Sequence, residues 1–335
     1  MSLDQRSQTS RRGHTLLFAG LQVAITLGIF GFLASQWGMN PFMDAFRLLP
    51  IWILPAAAVL GGVGVLTQAL RWRVIARHHR ISIGVGPAVA RCWQAAFLNG
   101  VLPGGLAGDA LRAADDSSDA KVEASGSALR RAFAAMAAER LMGTAVAFVA
   151  AGLTLLVLAP LAGLAALGVA TAAVVVAWRW LKPLSRGDVI QVVLLSATGW
   201  AAFAALFALT ILAVTPEIPL AWAPGLAAVA IAGMSVPLGF GGWGPREAAA
   251  AWAFSLAGFA PHLGVTASIS YGLLALASTL PGAVILALRV LPRLERARQV
   301  RAQRDGQADG RQSGRNTGRD PGESRGPRDP IEPAF

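Results

Sequence analysis

From Leu141 to Trp178 the chain carries no Asp, Glu, Lys or Arg, and Leu48–Leu70, Val189–Val214 and Val265–Leu288 are equally free of charge. Apolar runs of this length exceed what a soluble domain buries and match the roughly 20 residues that a helix needs to cross a bilayer. Only 14% of the 335 residues are charged, 55% are hydrophobic, and the mean hydropathy is +0.54. A soluble chain carries about 25% charged residues. The charges are also segregated into short basic patches between the runs, as in membrane spans joined by loops. The net charge of +11, with 29 Lys and Arg, is therefore read as the inside-positive bias and attraction to anionic lipid, not as nucleic-acid binding. Cys92 is the only cysteine, which excludes an internal disulfide and a cysteine metal cluster. No cofactor is implied.

The basic patches set the expected orientation. His14–Ser35 follows Arg6, Arg11 and Arg12, is too long for a cleaved signal and reads as a retained helix starting inside. Leu48–Leu70 is closed by Arg71, Arg73, Arg77 and Arg80, which places that loop in the cytoplasm. Ala132–Leu158, Leu161–Trp178, Val189–Val214 and Val265–Leu288 complete six spans. Arg179, Lys182 and Arg186 mark another inside loop, and Arg289, Arg293, Arg296, Arg298, Arg301 and Arg304 put the C-terminus inside. Residues 1–13 read as a basic cytoplasmic N-terminus, 14–290 as the membrane domain, and 291–335 as a basic, disordered cytoplasmic tail too poor in apolar residues to bury a core.

Parity then demands two excursions that return to the face they left. Residues 88–111 are interrupted by Asn99-Gly100-Val101-Leu102-Pro103-Gly104-Gly105, and 216–261 by Pro237-Leu238-Gly239-Phe240-Gly241-Gly242-Trp243-Gly244-Pro245. Such Gly/Pro runs break a continuous helix. The expected fold is an all-α polytopic membrane protein with about six full transmembrane helices and two Gly/Pro-broken re-entrant hairpins, one from each face. An inverted repeat would produce this pattern, and paired interruptions of this kind point to a transporter's binding site. Two ordinary helical hairpins with Gly-rich turns are the alternative.

Ionisable residues stand beside both breaks. Asp109 and Arg112 follow the first, Arg246 and Glu247 follow the second, and Glu139 and Arg140 lie in an otherwise apolar span. Each costs about 2.5–3.5 kcal/mol at a helix centre on insertion scales, so such residues face the bundle interior and pair. The competing reading is a set of structural ion pairs or snorkelling side chains. Arg112, Arg140 and Arg246 would hold an anionic headgroup. Asp109, Glu139 and Glu247 would pair with them when the site is empty, or accept a proton if transport is proton-coupled. Gly104, Gly105, Gly108, Gly241, Gly242 and Gly244 lack a Cβ and so let backbone approach that headgroup. Pro245 suits the first turn of a helix whose N-terminus would attract an anion.

These residues resemble a known family. Asn99-(x)3-Pro103-Gly104-Gly105-(x)2-Gly108-Asp109-(x)2-Arg112, then Glu139-Arg140, then Gly241-Gly242-Trp243-Gly244-Pro245-Arg246-Glu247 are similar, in order and spacing, to the lysylphosphatidylglycerol synthase transmembrane, or flippase-like, domain family. Ala107 stands where the family often has another glycine. The resemblance covers roughly residues 15–290 and implies a bundle that moves lipid or lipid-linked material between leaflets. In the multiple peptide resistance factors such a domain is joined to a soluble aminoacyl transferase. Nothing after residue 290 reads as a transferase, so synthesis of the aminoacyl lipid is not expected of this chain.

Other signals are weaker. Asp115, Asp116 and Asp119 have the DDxxD spacing that holds Mg²⁺ against a pyrophosphate. A membrane prenyltransferase needs a second acidic cluster, and Asp188 stands alone, so a solvated loop is the better reading and the enzyme is the alternative. His78 and His79 are adjacent and do not share a helix face as ligands would. No Walker or GxSxG motif is present. Trp37, Trp52, Trp72, Trp178, Trp180, Trp222 and Trp243 lie near span ends, where an aromatic belt would place them. The expected partners are membrane lipids with anionic headgroups, and the expected activity is lipid or glycolipid transfer across a bacterial-type inner membrane. An accessory subunit of a lipid- or glycan-synthesising enzyme is the third class.

Overall fold

A chain this apolar satisfies its backbone most economically by helices, whose hydrogen bonds stay within the segment. The computed structural model describes residues 24–78, 83–102, 108, 109, 111, 112, 115, 125–236 and 242–289, without the side chains of 125–132. All regular structure among them is helical. The chain divides into two units, residues 1–285 and 286–335, and the second is described only at 286–289, which are helical.

In chain order the helices are α1 (Ala24–Trp37), α2 (Asn40–Arg47), α3 (Ile53–His78), α4 (Val85–Val101), α5 (Ser125–Leu158), α6 (Pro160–Leu181), α7 (Arg186–Val214), α8 (Ala223–Met234), α9 (Pro245–Leu256) and α10 (Pro261–Ser278). Five segments are long and apolar enough to cross a membrane: Ile53–His78, Phe133–Leu158, Pro160–Leu181, Arg186–Val214 and Pro261–Arg289. They correspond to five of the six expected spans. The remaining one is seen only as α1, because residues 14–23 lie outside the described part. So do residues 1–13, 79–82, 103–105 of the first Gly/Pro break, 237–241 of the second, and the tail from 290.

Small residues set how closely the helices approach, as expected where lipid removes the hydrophobic drive between spans. A Cβ on Gly163 of α6 would lie 2.5 Å from the Leu156 backbone nitrogen of α5, so this hairpin packs backbone to backbone. On α3, Gly64 admits the Phe203 ring of α7, and Gly61 admits Ser278 of α10. Ser270 and Thr266 of α10 donate to the Ala45 and Pro41 carbonyls at 3.1 and 3.3 Å and pin the short α2. The central core joins Ile53, Leu206, Phe207, Ile211, Phe254, Tyr271 and Leu274, with the Phe207 and Tyr271 rings stacked at 4.4 Å. Large apolar side chains such as Val157, Leu161 and Val175 remain exposed on the outside.

The second break is flanked by two helices of 12 residues each, α8 and α9, packed against one another. At 1.5 Å per residue each is about 18 Å long, well short of the roughly 30 Å hydrocarbon core.

Two expectations are corrected. Helix α3 does not end at Leu70 but continues to His78, so Arg71 is an interior helical residue and not the first residue of a loop. Basic residues are good helix formers and do not stop a helix. Trp72 is fully buried in the α3–α4 core and not part of an interfacial belt, whereas Trp52 and Trp178 are more than half exposed.

Candidate functional site

Glu139 is the point on which the first network is built. It lies on the inward face of α5, completely buried. Its Oε1 accepts from Arg71 Nη2 of α3 at 2.9 Å, and its Oε2 accepts from Arg112 Nη2 at 2.6 Å. Arg71 reaches further, donating from Nη1 to Ser196 Oγ of α7 at 3.0 Å. Arg112 is buried too: its Nη1 is 3.3 Å from Cys92 Sγ of α4, and its guanidinium carbon lies 5.3 Å from the centre of the Trp72 ring.

The residues just after the first break are docked onto α4 by one side chain. Asn99 Oδ1 accepts the Gly108 N–H at 2.8 Å, and Asn99 Nδ2 donates to Asp109 Oδ2 at 3.2 Å. Gly108 must be glycine for this approach, because a Cβ there would overlap the Ala95 backbone. Asp109 then stands 3.6 Å from Arg112, one helical turn along, and its Oδ2 accepts from Arg140 Nη2. Arg71, Glu139, Arg112, Asp109 and Arg140 thus form a row of alternating charge, buried at its three central members, with the Arg71 side chain 11% and the Arg140 side chain 42% exposed. Arg71 Nε, Arg112 Nε and Asp109 Oδ1 are buried without a hydrogen-bond partner among the described residues. Buried ions each cost several kcal/mol of desolvation, and apolar replacements of such pairs are often neutral or stabilising. A row of five inside a membrane domain is therefore more than stability requires.

The second network caps α9. Gly242 and Gly244 have φ of +86° and +91°, a region that L side chains rarely adopt, and they turn the chain into the helix. Glu247 Oε2 accepts the Gly244 N–H at 2.6 Å, so a carboxylate of the chain itself occupies the electropositive N-terminus. Its Oε1 accepts from Arg246 Nη2 at 2.5 Å, from Arg246 Nε at 3.0 Å and from Ser268 Oγ at 3.0 Å. The Arg246 guanidinium lies 4.6 Å from the Trp243 ring centre and 5.3 Å from that of Tyr271. Gly272 leaves the space it fills, since a Cβ there would meet Arg246 Nη2 and the Trp243 ring. Trp243 thus lines the break and is not a belt residue. An anion reaching this helix N-terminus would have to displace Glu247.

The expected site residues therefore fall into two groups. Asp109, Arg112, Glu139 and Arg140 share one network, Arg246 and Glu247 another, and the two networks have no residue in common. Gly104, Gly105 and Gly241 lie outside the described residues, as do Asp116 and Asp119 of the DDxxD loop. Among the described residues no group of three His, Cys, Asp or Glu is placed to hold a metal ion. Asp188 joins no acidic cluster among the described residues; it meets His78 Nε2 at 3.0 Å, and Ser185 Oγ accepts its N–H at the start of α7. Arg71 and Asn99 belong to the site and were not expected there. The signal for Arg71 was helical spacing: at 100° per residue it points about 200° away from Arg73.

Helices of spanning length around buried ion-pair networks define a multi-pass helical membrane protein. Residues 20–185 match the family described as the lysylphosphatidylglycerol synthase TM region, and through that segment the chain is similar to this family of lipid-related membrane proteins. The matched segment contains the first break, Glu139 and Arg140, and ends before the second. The chain matches none of the curated proteins.

Proposed function

We propose that the chain moves an anionic phospholipid or a lipid-linked glycan between the leaflets of a bacterial-type inner membrane, with both termini in the cytoplasm, and that it acts as a transporter and not as an enzyme. The observation that supports this most is the buried row Arg71–Glu139–Arg112–Asp109–Arg140, which opens outward at Arg140. Guanidinium groups present paired N–H donors that match phosphate and carboxylate oxygens. An incoming headgroup would take Arg112 from Glu139 and share Arg140 with Asp109, which stays paired, and its oxygens would meet the N–H donors the network leaves without partners. The short helices α8 and α9 fit a re-entrant hairpin, with Arg246 and Glu247 at its break as a second polar station. The lipids themselves are the partners this reading requires.

Purified chain in proteoliposomes, given labelled phosphatidylglycerol, aminoacyl-phosphatidylglycerol and a polyprenyl-phosphate sugar, tests the reading. Movement of at least one is expected. Arg246→Ala and Asp109→Asn variants that insert normally and retain full movement would overturn the site.

A further inference from the structure

Glu139 has one more cation than a simple pair needs. Each of its oxygens is held by a different guanidinium, Oε1 by Arg71 and Oε2 by Arg112. The two arginines are differently placed. Arg71 is anchored away from the break, through Ser196 Oγ, which in turn donates to the Val192 carbonyl of the same helix at 2.7 Å. Arg112 lies in the segment docked by Asn99 and Gly108 beside the break. For Arg112 to turn toward an anion it must release Glu139, and a buried carboxylate without a cation either resists release or takes up a proton.

We infer that Arg71 is a positioning residue of the headgroup site: it keeps Glu139 paired, so that Arg112 is released to an anionic headgroup without stranding a buried carboxylate. The inference rests on the lipid-handling reading above and adds a residue and a role to it. The charged and titratable groups around Glu139 are Arg71 from α3, Arg112 and Asp109 from the segment after the break, Cys92 from α4, and Arg140 beside it on α5. From α7 the network receives only the uncharged Ser196.

The test is the pH dependence of binding of short-chain phosphatidylglycerol to the purified full-length chain, measured by titration calorimetry. Wild type and Arg71→Lys are expected to bind with affinity flat from about pH 6 to 8, since a cation stays beside Glu139 in both. In Arg71→Gln, release of Arg112 must be matched by a proton on Glu139, and affinity should fall by up to about tenfold per pH unit as pH rises. Adding Glu139→Gln to Arg71→Gln removes the titrating group and should restore a flat profile. A flat profile in Arg71→Gln, or a slope that persists in the double variant, overturns the inference. If Arg71→Gln does not fold, a sloped profile in Arg71→Lys overturns it and a flat one, beside a flat Arg71→Gln/Glu139→Gln, supports it. Wild type that binds lipid but moves none would contradict the transport reading alone. A flat Arg71→Gln profile beside intact wild-type movement would contradict the Arg71 role alone.

Discussion

Arg112 and Glu139 form an ion pair of 2.6 Å between two side chains that are both at most 1% exposed, one beside a helix break and the other in the first third of the membrane span Phe133–Leu158. Neither charge has a solvent route to neutrality, so the pair depends on its surroundings: Arg71 on the far oxygen of Glu139, and Asp109, Cys92 and the Trp72 ring around Arg112. The strongest interactions of this protein are also its most vulnerable, since removing one member leaves a buried charge.

Glu139→Gln should accordingly destabilise the folded protein by about 3–5 kcal/mol. Asp188→Asn, at the partly exposed contact with His78, should change stability by at most about 1 kcal/mol. Thermal unfolding of both variants in the same detergent checks the contrast, and equal shifts would contradict it.

Gly108→Ala should separate the segment carrying Asp109 and Arg112 from α4, because the added Cβ has no room beside the Ala95 backbone. Gly62→Ala on α3 meets nothing within 4 Å and should stabilise slightly, by about 0.5–1 kcal/mol, as alanine replaces glycine inside a helix. Lipid movement and melting temperature should fall together for the first variant, whereas in the second movement should hold and the melting temperature should rise slightly.

At the second break, Gly244→Ala should cost about 1–3 kcal/mol from its positive φ alone, with further crowding against Ile29 and Thr26. Glu247→Ala should be at least as damaging, because it leaves Arg246 buried without a carboxylate and the Gly244 N–H without its acceptor. Chemical unfolding of the two variants tests the order, and a fully stable Glu247→Ala would contradict the capping role.

The broad fold was legible because apolar run length is a direct consequence of bilayer thickness: five expected spans reappear with their ends displaced by a few residues. The breaks were legible for a similar reason, since Gly and Pro act locally. The partnerships were not. Glu139 and Arg140 are adjacent in sequence, yet they point to different sides of α5 and pair with Arg112 and Asp109, not with each other. Arg246 and Glu247 are also adjacent and do pair, because the first turn of a helix leaves Glu247 free to fold back on the N-terminus. Adjacent residues of opposite charge thus gave no means to tell the two cases apart. Arg71 and Trp72 were assigned to the membrane boundary because arginines and a tryptophan cluster there. Only the continuation of α3 to His78, set by packing against α4 and α7, turns both inward.

The most direct test of the central claim is the rate of transbilayer movement of labelled phosphatidylglycerol by Arg140→Gln beside wild type in proteoliposomes. Arg140 is the half-exposed end of the charged row, and without it Asp109 keeps Arg112 and Asn99, so the fold should hold while a charge-assisted contact of about 1.5–3 kcal/mol is removed. The account predicts that wild type moves the lipid and that the variant, equally folded and inserted, is slower by about tenfold or more. Arg140→Gln at the wild-type rate, or wild type that moves no anionic lipid, would contradict it.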